Sequence, residues 1–385
     1  MSFNQNMNKI RRIGINLLFI NPKLAGGSVV YAKKVIESIA LLDNKTKYYI
    51  YIHQGCKDLD FELGKNFRVR LLPFSYSSVY LRYFWEQFIL PFYLEKDRVD
   101  LIHSLGYVTP ILTRKIKVVS ILDINYRGHG GQMKLSKRFL LGAMVNLSAW
   151  FSKKIITISY FSKDQIINYT KVDPDKIVVT HLSGSNDFPH DKKNISNNVL
   201  KKYKLICPYI IAFSSPSPHK NIENLLFAFK ILLNKFDNLK MVLVGHQNKS
   251  EVLMEVIKTE GLTDSVVFTG YVPNDEVNPL IAGAKVFVFP SYYEGFGIPI
   301  LDAQMCKVPI ASSNAGSLPE VGGKSVRYFD PKSPKEMANA IATFFENDVY
   351  INRIIEDGLI NRASFSWEKT ARETISVYQN ILNKK

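Results

Sequence analysis

Two doubly wound, Rossmann-like α/β domains facing one another across a cleft are the architecture this sequence predicts. Three observations carry that prediction. The chain has 385 residues, too many for one hydrophobic core and suited to two domains. Short apolar runs alternate with helical patterns from end to end, the rhythm of βαβ units. Many of those runs are continuously apolar rather than alternating, as parallel strands covered on both faces require.

The first run, 13–19, contains Gly14 and Asn16 and is not followed by a small-residue cleavage site. It reads as a strand rather than a signal peptide. A helical pattern follows at 28–42, and strands are expected at 48–53, 69–74, 101–104, 118–122, 155–158 and 177–181. The polar, proline-bearing stretch 187–198 reads as a linker. Strands resume at 209–214, 241–244, 266–269, 286–289, 309–312 and 326–329, with helical patterns at 222–236, 251–259 and 334–346. This places a first domain at 1–190 and a second at 191–365, with 366–385 as a last helix crossing back to the first domain. The most apolar helical stretch, 139–151, is interrupted by Asn146. No stretch approaches the roughly 20 apolar residues that span a bilayer. A cytoplasmic chain, peripheral on the inner face of the membrane, is the expectation.

Composition narrows the partners. Hydrophobic residues make up 46% and charged residues 22% of the chain, which excludes disorder. Cys56, Cys207 and Cys306 are scattered without metal-ligand spacing, as buried thiols of a reducing compartment would be. The net charge of +16 is uneven: residues 1–190 hold 27 basic and 14 acidic residues, and residues 191–385 hold 23 and 20. The first half therefore predicts an anionic partner. Two stretches there, 80–93 and 134–154, mix aromatic with basic residues, a composition suited either to an interfacial helix on an anionic membrane or to core helices whose apolar face packs on the sheet.

Three segments carry candidate chemistry. In the most informative, a strand ends near Phe289. Pro-Ser-Tyr-Tyr-Glu-Gly-Phe-Gly-Ile-Pro then leads into a helix with Pro299 in its first turn, where a missing N–H costs nothing. The N–H groups of Phe296, Gly297 and Ile298 at that helix start form an anion site, and the glycines at 295 and 297 let a phosphate approach the backbone. Glu294 and Asp302 supply carboxylates suited to the vicinal hydroxyls of a sugar or ribose. In the second segment a strand leads through Ser214 and Ser215 to Pro218-His219-Lys220-Asn221 and a helix, placing Lys220 where it meets a diphosphate. In the third, Gly26 and Gly27 open a helix after the first strand. They lack the third spaced glycine of the dinucleotide fingerprint.

Together these segments resemble glycosyltransferase family 4, whose members have the two-domain GT-B fold. The similarity covers nearly the whole chain and is greatest to the bacterial mannosyl- and rhamnosyltransferase-like branch. Further matching stretches are 118–123, 155–162, 268–272, 317–321 and 365–371. The resemblance implies that Glu294 binds donor-sugar hydroxyls and Asp302 the nucleotide ribose. It implies that Gly295, Phe296 and Gly297 bind sugar and diphosphate, that Lys220 binds the diphosphate, and that Gly26 and Gly27 close over the donor. It also implies retention at the transferred carbon and no metal or other cofactor; no Asp-x-Asp pair falls at a strand end. The expected substrates are a nucleotide-diphosphate sugar and a saccharide acceptor, the latter carried on a polyprenyl diphosphate during surface polysaccharide synthesis.

The sequence departs from the family pattern at three places. Asp302 stands for a glutamate. Leu122-Asp123 stands for a His-Asp pair, leaving Asp123 and the nearby His129 as candidate acceptor or sugar contacts. Ser214, Ser215 and His219 occupy a loop that carries an arginine in many relatives. Two other readings compete. A sugar-nucleotide 2-epimerase shares the fold but needs acid/base residues not found here. A nucleic-acid-binding protein fits the charge, but no recognised nucleic-acid motif appears and the Glu294 segment is left unexplained.

Overall fold

A computed structural model describes residues 10–21, 27–76, 78–128, 134–185, 198–205, 207–245 and 251–383. The chain forms two compact units. The first comprises 1–124, 133–182 and 366–385; the second comprises 125–132 and 183–365.

The first unit is built on a seven-stranded parallel sheet in the order β3-β2-β1-β4-β5-β6-β7. Its strands are β1 (Arg12–Asn16), β2 (Lys47–His53), β3 (Phe67–Leu72), β4 (Leu101–Ser104), β5 (Ile116–Ser120), β6 (Lys154–Thr157) and β7 (Ile177–Val179). β2 reads Lys-Tyr-Tyr-Ile-Tyr-Ile-His and is buried after its first residue, as aromatic and β-branched residues favour. β3 was expected to run to residue 74. It ends at Leu72 because Pro73 has no N–H for the ladder.

Helices α1 (Gly27–Leu42), α2 (Val79–Phe84), α3 (Leu90–Lys96), α4 (Asn125–Gly128), α5 (Leu135–Phe151) and α6 (Tyr160–Thr170) precede the second sheet in the chain. A π turn, Trp85–Ile89, joins α2 to α3. Crossovers between parallel strands are right-handed. The β3→β4 and β5→β6 connections run the same way across the sheet, so α2, α3 and α5 share one face. The β1→β2 connection runs the other way and puts α1 opposite.

The second unit has a six-stranded parallel sheet in the order β10-β9-β8-β11-β12-β13. These strands are β8 (Tyr209–Ser214), β9 (Lys240–Gly245), β10 (Val266–Gly270), β11 (Val286–Phe289), β12 (Ile310–Ser313) and β13 (Arg327–Phe329). Its helices are α7 (Ile222–Leu233), α8 (Glu251–Thr259), α9 (Asn274–Ala282), α10 (Ile298–Met305), α11 (Leu318–Gly322), α12 (Pro334–Glu346) and α13 (Asp348–Ala363). α7 buries Ile222, Leu225, Leu226, Phe229 and Leu232, the three-and-four spacing of a helix lying on a sheet. These side chains join Ile210, Met241, Leu243 and Val288 in one core. Ser333 caps α12 by accepting the Glu336 N–H at 3.2 Å, which satisfies a donor the helix cannot.

The last helix, α14 (Trp367–Leu382), belongs to the first unit. It packs on α1, and Arg11 Nη2 donates to its Leu382 carbonyl at 3.1 Å. Cys56 and Cys306 are buried and Cys207 is half-buried, all as free thiols. Among the described residues no helix is long and apolar enough to cross a membrane.

Candidate active site

The site is assembled where β8 and β11 end, side by side in the second sheet. Open α/β sheets bind ligands beyond the carboxyl ends of their strands. After β8 the chain makes a single 3₁₀ turn, Pro218–Lys220, rather than running directly into α7. Asn221 then adopts the left-handed conformation at φ 57° and reverses the chain into the helix. Its side-chain amide donates to Pro290 O at 2.9 Å and to Pro331 O at 2.7 Å. Tyr292 N–H donates to His219 O at 2.8 Å. The Lys220 turn is thereby fastened to the loop that follows β11, and Lys220 Nζ lies 2.6 Å from Glu294 Oε1. Two motifs 74 residues apart thus meet as one ion pair. The Lys220 ammonium also lies 5.5 Å from the centre of the Phe289 ring, within cation–π range.

The Glu294 loop is held from beneath. Gly316 sits at φ +65°, and a Cβ there would lie 2.8 Å from Glu294 O. Only glycine combines that backbone with that approach. The adjacent Ser317 hydroxyl lies 2.9 Å from Glu294 O and 2.7 Å from Phe296 O. Gly297, at φ 112°, precedes the first turn of α10. The opening N–H groups of a helix have no acceptor within it, so these face the strand ends together with the positive pole of the helix. Phe296 is buried and meets Phe365 edge-on at 5.9 Å between centroids. Its side chain anchors the loop. Gly295 lies between Glu294 and this anchor.

Asp302 sits one turn into α10, and its Oδ1 accepts the Ser185 N–H at 2.7 Å. Arg362 Nη2 donates to Ser185 O at 2.9 Å. The segment around Gly184 lies so close that a Cβ on Gly184 would be 2.7 Å from Asp302 Oδ1. Burial pushes the Asp302 carboxyl up to about 6, against the Ser185 N–H and the Arg362 charge, which both lower it. The two motif carboxylates therefore have different environments: Glu294 is paired with an ammonium, whereas Asp302 is desolvated against backbone.

Of the remaining candidates, Gly27 opens α1, with nothing within 4 Å of where its Cβ would be. Asp123 follows β5 and accepts from Tyr107 OH at 3.1 Å. Gly26 and His129 lie outside the described residues. Among the described residues no cluster of three or more His, Cys, Asp or Glu side chains is arranged to hold a metal.

Other polar groups stand at the strand ends of each unit, among them some to which sequence reasoning assigned no task. Ser214 and Ser291 lie at the ends of β8 and β11 with buried hydroxyls that have no partner among the described residues. In the first unit, at the carboxyl end of β1, Asn16 Nδ2 donates to Glu86 Oε1 at 2.5 Å and to Ser104 Oγ at 3.1 Å. Glu86 also accepts from Arg82 Nε at 3.3 Å. Burial raises the Glu86 carboxyl, and Arg82 opposes that rise. A buried polar group in an otherwise apolar helix was the available signal.

Two family models match the chain in succession. Glycosyltransferase Family 4 matches residues 25–182, and Glycosyl transferases group 1 matches residues 199–359. The chain is 33% identical over 231 residues to the O-antigen chain mannosyltransferase B of Escherichia coli, covering 59% of this chain and 61% of that protein. The match thus spans less than two thirds of that relative. Among solved structures, sucrose-phosphate synthase of Thermosynechococcus elongatus superposes with a TM-score of 0.75 at 16% identity, covering 97% of this chain and all of that one. Anabaena HepE in complex with UDP and glucose gives 0.71 at 18% identity, covering 96% of this chain and all of that one. These likenesses establish the GT-B fold. Each sheet-bearing half matches its own glycosyltransferase model, and the second match contains the Lys220 and Glu294 loops; the chain belongs to glycosyltransferase family 4.

Proposed function

We propose that the protein transfers a hexose, of the mannose or rhamnose kind, from a nucleotide-diphosphate sugar to a saccharide acceptor, with retention of configuration. The observation that carries this reading is the Lys220–Glu294 pair, formed at the carboxyl ends of β8 and β11 beside the start of α10. A diphosphate placed there meets an ammonium and outward-facing N–H groups, while a sugar hydroxyl meets a carboxylate. When the donor binds, its diphosphate takes Lys220 and frees Glu294 for the hydroxyls.

In the proposed reaction the bond from the anomeric carbon to the diphosphate oxygen breaks. The acceptor oxygen forms its bond to that carbon on the same face. The acceptor proton passes to the departing diphosphate oxygen, so no enzyme nucleophile is needed. Preorganised donors aimed at the developing charge are the main source of acceleration. Lys220 and the α10 N–H groups fill that role, and the reading assigns no metal to it. Removing one such donor costs about 10²-fold or more in kcat, so Lys220→Ala and Glu294→Ala are expected to lose transfer on that scale. Transfer by both variants at the wild-type rate would falsify the assignment. Transfer unchanged in EDTA is the matching expectation for the metal.

The acceptor reading is a lipid-linked saccharide at an anionic membrane, as in O-antigen synthesis. Two exposed apolar stripes support it. Tyr80, Phe84, Phe88 and Phe92 recur at four-residue spacing along α2, the π turn and α3, and all four are more than half exposed. Leu135, Phe139, Trp150 and Phe151 are similarly exposed on α5. Gln87 Nε2 donates to Thr109 O at 3.0 Å, and Thr109 N–H donates to Ser148 Oγ at 3.0 Å, so both helices are tied to one loop on one face of the sheet.

A further inference from the structure

Five basic side chains of the first unit gather at a place the proposed reaction does not use. A cavity of about 820 Å³ opens at the amino ends of β5, β6 and β7, the end of the sheet opposite to the one that carries Asn16 and Asp123. Five lysines line it: Lys115, Lys117, Lys153, Lys154 and Lys176.

Most of this charge is not internally neutralised. Lys115 pairs with Glu95 at 2.8 Å. Lys117, Lys153, Lys154 and Lys176 have no carboxylate within ion-pair distance among the described residues. Lys154 Nζ donates to Asp175 O at 2.5 Å, and Lys176 Nζ donates to Trp150 O at 3.0 Å. Lys117 Nζ donates to Thr113 O at 2.8 Å and Lys115 O at 3.2 Å. Backbone carbonyls hold these ammonium groups in place but carry no net charge. An ammonium has three donors, so Lys154 and Lys176 keep N–H groups for a further acceptor. Two aspartates, Asp173 and Asp175, also line the cavity, and Asp173 Oδ1 is taken by the Asp175 N–H at 2.8 Å. The lysines outnumber them.

A second, independent feature points the same way. Ser152 lines this cavity and is 2% exposed, yet its hydroxyl has no hydrogen-bond partner among the described residues. Leaving a buried donor unmet is unfavourable, and an acceptor in the cavity relieves it. Partial burial also pushes the Lys117 ammonium below its usual range, and an anion beside it would reverse that. The apolar part of the lining includes Phe151, the last residue of α5. The exposed α5 stripe therefore ends at the cavity mouth.

We propose that this cavity is a phosphate-binding site, with Lys117, Lys153, Lys154, Lys176 and the Ser152 hydroxyl as its donors. The phosphate belongs either to the headgroup of an anionic lipid reached by the α5 stripe or to a free phosphate compound. The lipid source rests on the membrane reading above. The site itself does not, and it is separate from the donor site.

Lysine acetylation of the full chain, read residue by residue by mass spectrometry, tests this directly. The probes are inorganic pyrophosphate, phosphatidylcholine vesicles, and vesicles of phosphatidylcholine with phosphatidylglycerol. At ligand about ten times its Kd, reactivity of Lys153, Lys154 and Lys176 is expected to fall about tenfold, whereas Lys33 and Lys258 keep theirs. Protection by the phosphatidylglycerol vesicles but not by phosphatidylcholine alone identifies a lipid headgroup. Protection by pyrophosphate without vesicle protection identifies a free phosphate compound. Protection by none of the anionic probes overturns the proposal. In Lys153→Gln/Lys176→Gln, protection of Lys154 should be lost at unchanged Tm, with transfer to a short soluble acceptor retained. If transfer is absent in both proteins while protection stands, the transferase reading fails and this one survives.

Discussion

At the scale of single residues, the geometry of the candidate site rests on groups that hold its loops in place. Lys220 and Glu294 were legible because their chemistry and motif spacing are written along the chain. Asn221 and Ser317 were part of matching stretches and Gly316 directly precedes one, but their tasks were not legible, since those depend on partners 21 to 110 residues away. Asn221 gives a clean test. Its left-handed backbone is tolerated by glycine, but glycine lacks the amide that holds Pro290 O and Pro331 O. Asn221→Gly is therefore expected to keep its Tm within a few degrees and to lose up to ~10²-fold in kcat/KM, the scale of a misplaced catalytic group. Wild-type kinetics in that variant would mean that the turn holds Lys220 without help. Asp302 yields a pH prediction. Its carboxyl rises from 3.8 unfolded to about 6 folded, so the folded second unit holds the proton more tightly. Stability from this group is full below pH 3.8 and is lost as pH rises through about 6. Asp302→Asn should remove that slope from hydrogen-exchange protection of α10.

At the scale of elements, continuous apolar runs marked the parallel strands well, and their edges moved by no more than three residues. The aromatic stretch 80–93 was harder. Its composition suggested one interfacial helix, but it forms α2, a π turn and α3. The π turn faces Glu86 and Gln87 into the protein, where both are buried, and still leaves the Tyr80–Phe92 stripe outward. Sequence periodicity does not register such a turn, because the inserted residue shifts helical phase only once. If the stripe is a membrane surface, a charge placed in it opposes insertion. Phe88→Glu, more than half exposed in the native fold, is expected to leave Tm nearly unchanged and to reduce co-sedimentation with anionic vesicles several-fold. Undiminished sedimentation would assign vesicle binding to the lysines alone.

At the scale of the molecule, the chain's two sheets were legible from the alternation of runs, and the uneven charge was resolved by place. The near-neutral second half carries a few aimed donors, whereas the basic first half carries a lysine-lined cavity and two apolar stripes. What sequence did not show is how the last helix is locked into the first unit. Inside that unit Tyr378 OH meets His103 Nδ1 at 2.7 Å, His103 Nε2 meets Ser120 Oγ at 2.9 Å, and Ser120 Oγ meets Tyr31 OH at 2.8 Å. The chain of bonds joins α14, β4, β5 and α1, and every member is buried. Burial drives His103 down from 6.5 to about 3, so it stays neutral in the fold but protonates when unfolded. Between those values the unfolded chain binds more protons, so stability falls as pH drops below 6.5, by up to ~1.4 kcal/mol per pH unit. All three tryptophans, Trp85, Trp150 and Trp367, lie in this unit, so their fluorescence follows its unfolding alone. Tyr378→Phe should cost about 1–3 kcal/mol at pH 7 by leaving a ring nitrogen unmet. His103→Phe is expected to be destabilised at pH 7 yet to lose most of the acid dependence. An equally steep acid slope in His103→Phe would place the proton-linked group elsewhere in the unit.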